Sequence, residues 1–221
     1  MQRNAVWLSA VAVSAALAIV GAESDGLRVL HYLFKPLTTL LIAAMVWRTA
    51  TTGHGYRRAV LAGLLLSLLG DVFLMLPGDW FAFGLGSFLL AHLCYLRAFR
   101  LRGTWFRPVW PVLVYGVIAA AVLAYLWPHL PAELKIPVVV YVVALAGMAA
   151  QAACIWHQHP DRAATLATVG GACFVLSDAL LAIDRFAIAI PLASVWVLLS
   201  YWTAQWLIAR SVMFLPGTPR G

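Results

Sequence analysis

Three charged residues lie where the chain is otherwise apolar: Lys35, Asp71 and Asp178. An acid at the centre of a lipid-spanning helix costs about 2.5 to 3.5 kcal/mol on insertion scales, a penalty that leucine would avoid. Two carboxyls in apolar surroundings can divide the labour of acid-base catalysis. One, desolvated, keeps its proton and donates it; the other, hydrogen-bonded or ion-paired, stays a carboxylate that stabilises positive charge or activates water. Glycosidases treat oxocarbenium-like transition states with two carboxyls, which serves here as analogy. The competing reading is a buried ion pair or helix-to-helix contact in which Lys35 neutralises one acid.

The two acids have similar neighbourhoods. Gly63, Ser67 and Gly70 precede Asp71, while Gly170, Gly171 and Ser177 precede Asp178. Small residues let helices approach closely and leave room beside a carboxylate. Further polar groups recur at helical spacing. Gly84, Phe88, His92, Tyr95 and Phe99 form one stripe, and Ser194, Leu198, Tyr201 and Gln205 form another, both expected to face the aspartates. His92 is the one histidine inside an apolar stretch. It lies about two turns nearer the opposite end than Asp71, so a shared site requires tilt or a deep cavity, and a lone histidine on such a face otherwise reads as a hydrogen-bonded core residue. A zinc centre needs about three converging ligands, and none is expected.

The elements that must position these residues follow from composition. Of 221 residues, 64% are hydrophobic and 10% charged, whereas a soluble domain carries about 25% charged residues. The chain cannot clothe a globular surface in water, and disorder, a disulfide scaffold and a nucleic-acid module are excluded with it. A span of hydrocarbon needs roughly 20 apolar residues. Eight such stretches run over 6–22, 30–47, 59–76, 81–99, 108–127, 136–156, 163–183 and 187–209. The expectation is an all-α polytopic membrane protein, one bundle of eight transmembrane helices over residues 1–221. Trp7, Trp47, Trp80, Trp105, Trp127 and Trp156 fall near span ends, as an interfacial belt requires. Cys94, Cys154 and Cys173 lie inside spans without a pairing pattern and read as apolar filler.

The net charge of +7 is a topology signal. With a cytoplasmic N-terminus, that side holds Arg3, Arg48, Arg57, Arg58, Arg97, Arg100, Arg102, Arg107, Arg162, Arg210 and Arg220, against Arg28, Lys135 and Arg185 opposite. Under the positive-inside rule both termini are then cytoplasmic. One alternative is that the first stretch, with Arg3 and Val20-Gly21-Ala22, is a cleavable signal, which leaves seven spans. Asp71 and Asp178 sit four spans apart in helices running the same way, at similar depth near the outer end. Pro36 and Pro137 add to the suggestion of a parallel four-plus-four repeat.

Several residues together resemble the YhhN-like family of membrane lysoplasmalogenases. They are Lys35-Pro36, Gly70-Asp71, Phe83-Gly84, Phe88, His92 and Tyr95, then Gly171 to Phe174, Ser177-Asp178, Phe186, Tyr201, Ala204 and Gln205. The resemblance covers most of the chain; the fifth span adds nothing to it, and the run from Lys135 to Tyr141 adds a little. It implies hydrolysis of the vinyl ether bond of a lysophospholipid substrate, releasing a long-chain aldehyde and glycerophosphoethanolamine or glycerophosphocholine. The reaction begins by protonating the outer alkenyl carbon, so one acid and one anion suffice and no metal or other cofactor is required. On this reading Asp71 and Asp178 share the proton-donor and charge-stabilising or water-activating roles in an order the residues leave open. Lys35 holds one aspartate ionised or binds the substrate phosphate. Ser177, His92, Tyr95, Tyr201 and Gln205 orient water and headgroup, and the Phe and Trp residues of the fourth and eighth spans line the chain-binding cavity. The expected setting is a bacterial inner membrane.

Two other functions fit the same residues. Paired intramembrane acids, a lysine and a repeat also describe a proton-coupled carrier, which predicts flux across sealed vesicles without covalent change. A non-catalytic lipid-binding protein predicts tolerance of Asp-to-Asn changes. Nothing in the sequence signals an oligomeric state.

Overall fold

The computed structural model describes residues 2–215, and among these every regular element is helical. Eight α-helices follow in order: α1 (Gln2–Glu23), α2 (Arg28–Trp47), α3 (His54–Met75), α4 (Phe81–Arg100), α5 (Trp110–Leu126), α6 (Ala132–Gln158), α7 (Arg162–Phe186) and α8 (Ala193–Ser211). Seven of them are long and apolar enough to cross a membrane. The eighth, α8, falls short because Ser194, Ser200, Tyr201, Gln205 and Arg210 dilute its apolar run. The chain is an integral membrane protein, an all-helical bundle whose outer surface is hydrocarbon-like: Val6, Val117 and Ile136 are each at least two-thirds exposed. Arg220 and the C-terminal end, part of the charge argument above, lie outside the described residues.

Helix ends differ from the apolar stretches in instructive ways. The third helix begins at His54, five residues before its apolar run, because Gly53 is the N-cap and the polar turn His54 to Arg58 continues the helix beyond the hydrocarbon. The eighth begins six residues late. Pro191 disfavours helical geometry in the residue before it, Leu192 is left-handed (φ 56°), and Asp184 accepts the Ile190 amide at 2.8 Å, closing a turn there. Asp161 caps α7 by accepting the Ala164 amide at 2.8 Å.

Neighbours in sequence pack as hairpins, most extensively α3 with α4, α7 with α8 and α1 with α2. Two long-range pairings close the bundle, α4 against α6 and α2 against α8. Close approach of α3 and α4 depends on glycine: a Cβ on Gly70 would stand 2.6 Å from the Phe88 ring, and one on Gly63 would overlap Tyr95. Only 11% of the α5 window is buried, against 67% for α6, so α6 is the central post and α5 is applied to its outside. The expected tryptophan belt is present: Trp47, Trp80, Trp105, Trp127 and Trp156 are exposed near helix ends.

Candidate active site

A largely apolar cavity opens among α2 to α8, and both Asp71 and Asp178 line it, together with Lys35, Ser177, Tyr141 and Tyr201. It leaves about 130 Å³ within reach of a water-sized molecule. The rest of its wall is mostly aliphatic and aromatic, from Phe81 and Phe88 to Leu145, Phe186 and Leu198. That combination of an apolar chamber with a few convergent polar groups is what a small-molecule or lipid site requires.

The first carboxylate is enclosed. Asp71, 2% exposed, accepts a hydrogen bond from Thr39 at 2.9 Å and another from Tyr201 at 2.7 Å, both on Oδ2. Lys35 Nζ lies 3.8 Å from Oδ1. Trp202 donates to Thr39 Oγ1 at 3.4 Å, fixing the hydroxyl that serves Asp71. Lys35 and Thr39 are one helical turn apart on α2, so a single face of that helix presents a cation and a donor to α3. Two donors and a cation converge on this carboxylate.

The second carboxylate is held differently. Tyr141 donates to Asp178 Oδ2 at 2.5 Å. His92 Nε2 lies 3.0 Å from the same tyrosine oxygen and 3.4 Å from Asp178 Oδ2. Because Tyr141 has already given its hydrogen to the aspartate, it accepts from His92, which places a hydrogen on Nε2. No lysine or arginine forms an ion pair with Asp178 among the described residues. The two clusters meet through Phe174, whose ring is edge-on to His92 at 4.7 Å and to Tyr201 at 5.6 Å.

The arrangement repeats itself. Asp71 on α3 is held by α2 and α8; Asp178 on α7 is held by α6 and α4. Each partner of the second acid lies four helices away from the corresponding partner of the first, α6 against α2 and α4 against α8.

Of the residues expected at the site, Lys35, Asp71, Ser177, Asp178 and Tyr201 line the cavity, and His92, Tyr95 and Gln205 do not. Ser177 lines it and donates to the Val197 carbonyl at 3.1 Å, tying α7 to α8. His92 stands behind Tyr141, fully buried; its depth offset is bridged because the α6 tyrosine reaches between it and Asp178. Tyr95 and Gln205 are fully buried partners of each other, Tyr95 donating to Gln205 Oε1 at 2.6 Å, and neither lines the cavity. They lock α4 to α8 rather than facing a ligand. The tryptophans of α8 are also absent from the wall: Trp196 is about half exposed and Trp202 is spent on Thr39. In their place α5, from which nothing was expected, supplies Tyr115, Ile118, Ala119, Val122 and Leu126.

Two partners were missed in the sequence. Thr39 and Tyr141 are hydroxyls that serve the aspartates, and they lie three residues after Pro36 and four after Pro137, each an early-helix proline. The paired prolines were the available signal. Among the described residues no group of three His, Cys, Asp or Glu is arranged to hold a metal ion.

Comparison with known proteins adds independent information. The sequence pattern of the YhhN family matches residues 30–212. A lysoplasmalogenase of Mycobacterium bovis is 37% identical over 205 residues, covering 88% of this chain and 74% of its own. The lysoplasmalogenase TMEM86B of Homo sapiens is 30% identical over 213 residues, 95% of this chain and 88% of its own. An uncharacterized membrane protein YhhN of Escherichia coli O157:H7 is 34% identical over 170 residues, 76% of this chain and 80% of its own. No solved structure matches the chain. The matched region takes in both aspartates and every helix that holds them, and the chain belongs to the YhhN family.

Proposed function

We propose that this chain is a membrane hydrolase that cleaves the vinyl ether bond of lysoplasmalogens, giving a fatty aldehyde and a glycerophospho-ethanolamine or -choline. The observation that carries the reading is one apolar cavity lined by two carboxyls in unlike surroundings. The names of the mycobacterial and mammalian relatives supply the substrate class.

The unlike surroundings support a division of roles. Asp71, with two hydroxyl donors and Lys35, is the carboxylate. Asp178, with one hydroxyl donor on Oδ2 and no ion-paired lysine or arginine among the described residues, is assigned the role of proton donor, giving the proton from its other oxygen. That proton passes to the outer alkenyl carbon; the alkenyl π pair forms the new C–H bond and leaves an oxocarbenium ion at the carbon bearing the ether oxygen. Asp71 stabilises the cation electrostatically. Water adds there and surrenders a proton to the Asp178 carboxylate, restoring the acid. The hemiacetal then collapses: its hydroxyl proton is transferred to the glycerol oxygen, the bond from carbon to that oxygen breaks so that it leaves as the alcohol, and the hydroxyl oxygen's electron pair forms the carbonyl of the aldehyde. Lys35, Tyr201 and Ser177 position Asp71 and the wall around it, while His92 and Tyr141 position Asp178.

The aliphatic surface from α5, α6 and α7 suits a single hydrocarbon chain. The matching helix partners of the two acids support a four-plus-four duplication as the origin of the site. With the start of α1 and the end of α8 on the arginine-rich face, the protein sits in a bacterial inner membrane with that face in the cytoplasm. The test is to incubate purified protein with alkenyl and ester lysolipids and detect free aldehyde by mass spectrometry. Aldehyde from the alkenyl lipid alone is expected; silence with every lysolipid, joined to substrate flux in sealed vesicles, favours a carrier.

A further inference from the structure

A second feature lies at the other end of α7. A groove of about 290 Å³ between α1, α7 and α8 is lined by Ala5, Leu8, Leu166 and Leu207, with Arg162, Arg210, Trp206 and Phe214 at its polar end. Arg162 sits 4.0 Å above the Phe214 ring, and Arg210 lies 5.5 Å from the same ring and 5.7 Å from Trp206. Two guanidiniums therefore flank one aromatic ring, and neither has a carboxylate within ion-pair distance among the described residues. The acid next in sequence, Asp161, is already committed: Arg102 holds it at 2.5 Å and the Ala164 amide at 2.8 Å.

This placement is unfavourable unless something compensates it. Like charges are brought together, and Arg162 is the first residue of α7, where the helix dipole disfavours a cation. An anion in the groove reverses both penalties. The remaining lining is aliphatic and lies on the lipid-facing side of the bundle, so a soluble anion would leave it unused, whereas a headgroup with acyl chains satisfies both ends. Basic pockets between membrane helices are known to take phospholipid headgroups by this combination. Asp178 is 16 residues further along α7, about 24 Å at 1.5 Å per residue, so the groove is separate from the catalytic cavity.

We propose that this groove binds an anionic phospholipid, its phosphodiester held between Arg162 and Arg210 and a chain lying along Leu8, Leu166 and Leu207. Arginine suits the task because its planar fork pairs with phosphate while its face stacks on an aromatic ring. The site does not depend on the proposed hydrolysis.

The experiment uses the full chain purified in a neutral detergent. Lipid retained on the protein is counted by native mass spectrometry, and melting temperatures are taken with phosphatidylglycerol, phosphatidylcholine or soluble glycerol phosphate added. Phosphatidylglycerol is expected to raise the melting temperature above the phosphatidylcholine value and to remain bound. R162Q/R210Q should abolish that difference, while R58Q/R97Q, which removes two exposed charges at the same end, should keep it. Should the double variant fail to fold, R162Q alone, at an exposed helix start, is expected to lower retention several-fold. Full retention in the groove variants overturns the proposal. So does equal loss in R58Q/R97Q, which would mean bulk surface charge, or an equal shift with glycerol phosphate, which would mean a soluble ligand.

Discussion

Tyr141 donates its hydroxyl hydrogen to Asp178 across 2.5 Å and so links the central helix α6 to the helix that carries the acid. The same oxygen is 3.0 Å from His92 Nε2, which makes the tyrosine a bridge between a buried imidazole and a carboxyl facing the cavity. Asp71 has no such bridge; it has a cation and two hydroxyls. The proposed division of roles between the acids rests on this difference.

Replacing either acid with its amide should end catalysis. Asp71→Asn and Asp178→Asn keep shape and hydrogen-bonding capacity but cannot hold a full negative charge or give up an acidic proton. A positioned acid or base contributes roughly 10² to 10⁴-fold, so aldehyde release should fall at least about a hundredfold in protein that elutes and melts normally. Near wild-type turnover in either variant removes that residue from the mechanism.

Tyr141→Phe should act on turnover more than on binding. The ring remains in the cavity wall, but Asp178 loses its one hydroxyl donor. A hydrogen bond to a charged or acidic group is worth about 1.5 to 3 kcal/mol, so kcat is expected to drop about tenfold to a hundredfold with KM nearly unchanged. A change confined to KM would make Tyr141 a substrate contact instead.

Lys35→Met should destabilise the fold through the charge it leaves behind. Removing one partner of a buried pair costs about 3 to 5 kcal/mol, and Asp71 is only 2% exposed. The double variant K35M/D71N should recover much of the lost melting temperature and stay inactive. If K35M melts like wild type, the 3.8 Å pair contributes nothing to stability.

Gly70→Ala tests the closeness of α3 and α4. The added carbon would meet the Phe88 ring at 2.6 Å, and Phe88 lines the cavity. Overpacking of this kind costs about 1 to 3 kcal/mol. Thermal melts should show the loss, with activity reduced as Phe88 moves; unaltered stability would mean that the ring rotates freely out of the way.

At the arginine-rich end, Asp161 provides a pH signature. Burial pushes its pKa up, but hydrogen bonds from Arg102 and the Ala164 amide and the Arg102 charge pull it down more, leaving it below its ordinary 3.8. A depressed folded-state value means that the contribution is complete above the unfolded value and disappears as pH falls through the folded one. Asp161→Asn should therefore melt below wild type at pH 6 and converge with it as pH drops below about 4. A gap that persists into acid would assign the loss to the helix cap alone.

Much of this arrangement is legible in the residues themselves. Seven of the apolar stretches are helices of spanning length and character, and Lys35, Asp71 and Asp178 share one cavity because charged groups inside lipid must find one another or water. The α4 stripe is a buried face, as is the α8 stripe from Leu198 to Gln205, while Ser194 is half-buried. What periodicity leaves open is which turn of a buried face meets the cavity: Tyr95 donates to Gln205 Oε1, while Tyr201, one turn from Gln205, reaches Asp71. Thr39 and Tyr141 escape notice because a hydroxyl in an apolar run costs little and so leaves no anomaly to read. The α5 wall is equally silent, since a helix facing lipid on one side and an apolar chamber on the other has no contrasting face.

The most direct measurement runs the reaction in D₂O with an alkenyl lysolipid and traps the aldehyde as it forms for mass spectrometry. Carbon protonation by a carboxyl of the cavity predicts aldehyde carrying one deuterium on the carbon next to the carbonyl, absent from reactions of Asp178→Asn. Aldehyde without deuterium there, or the same labelled yield from Asp178→Asn, would contradict the account.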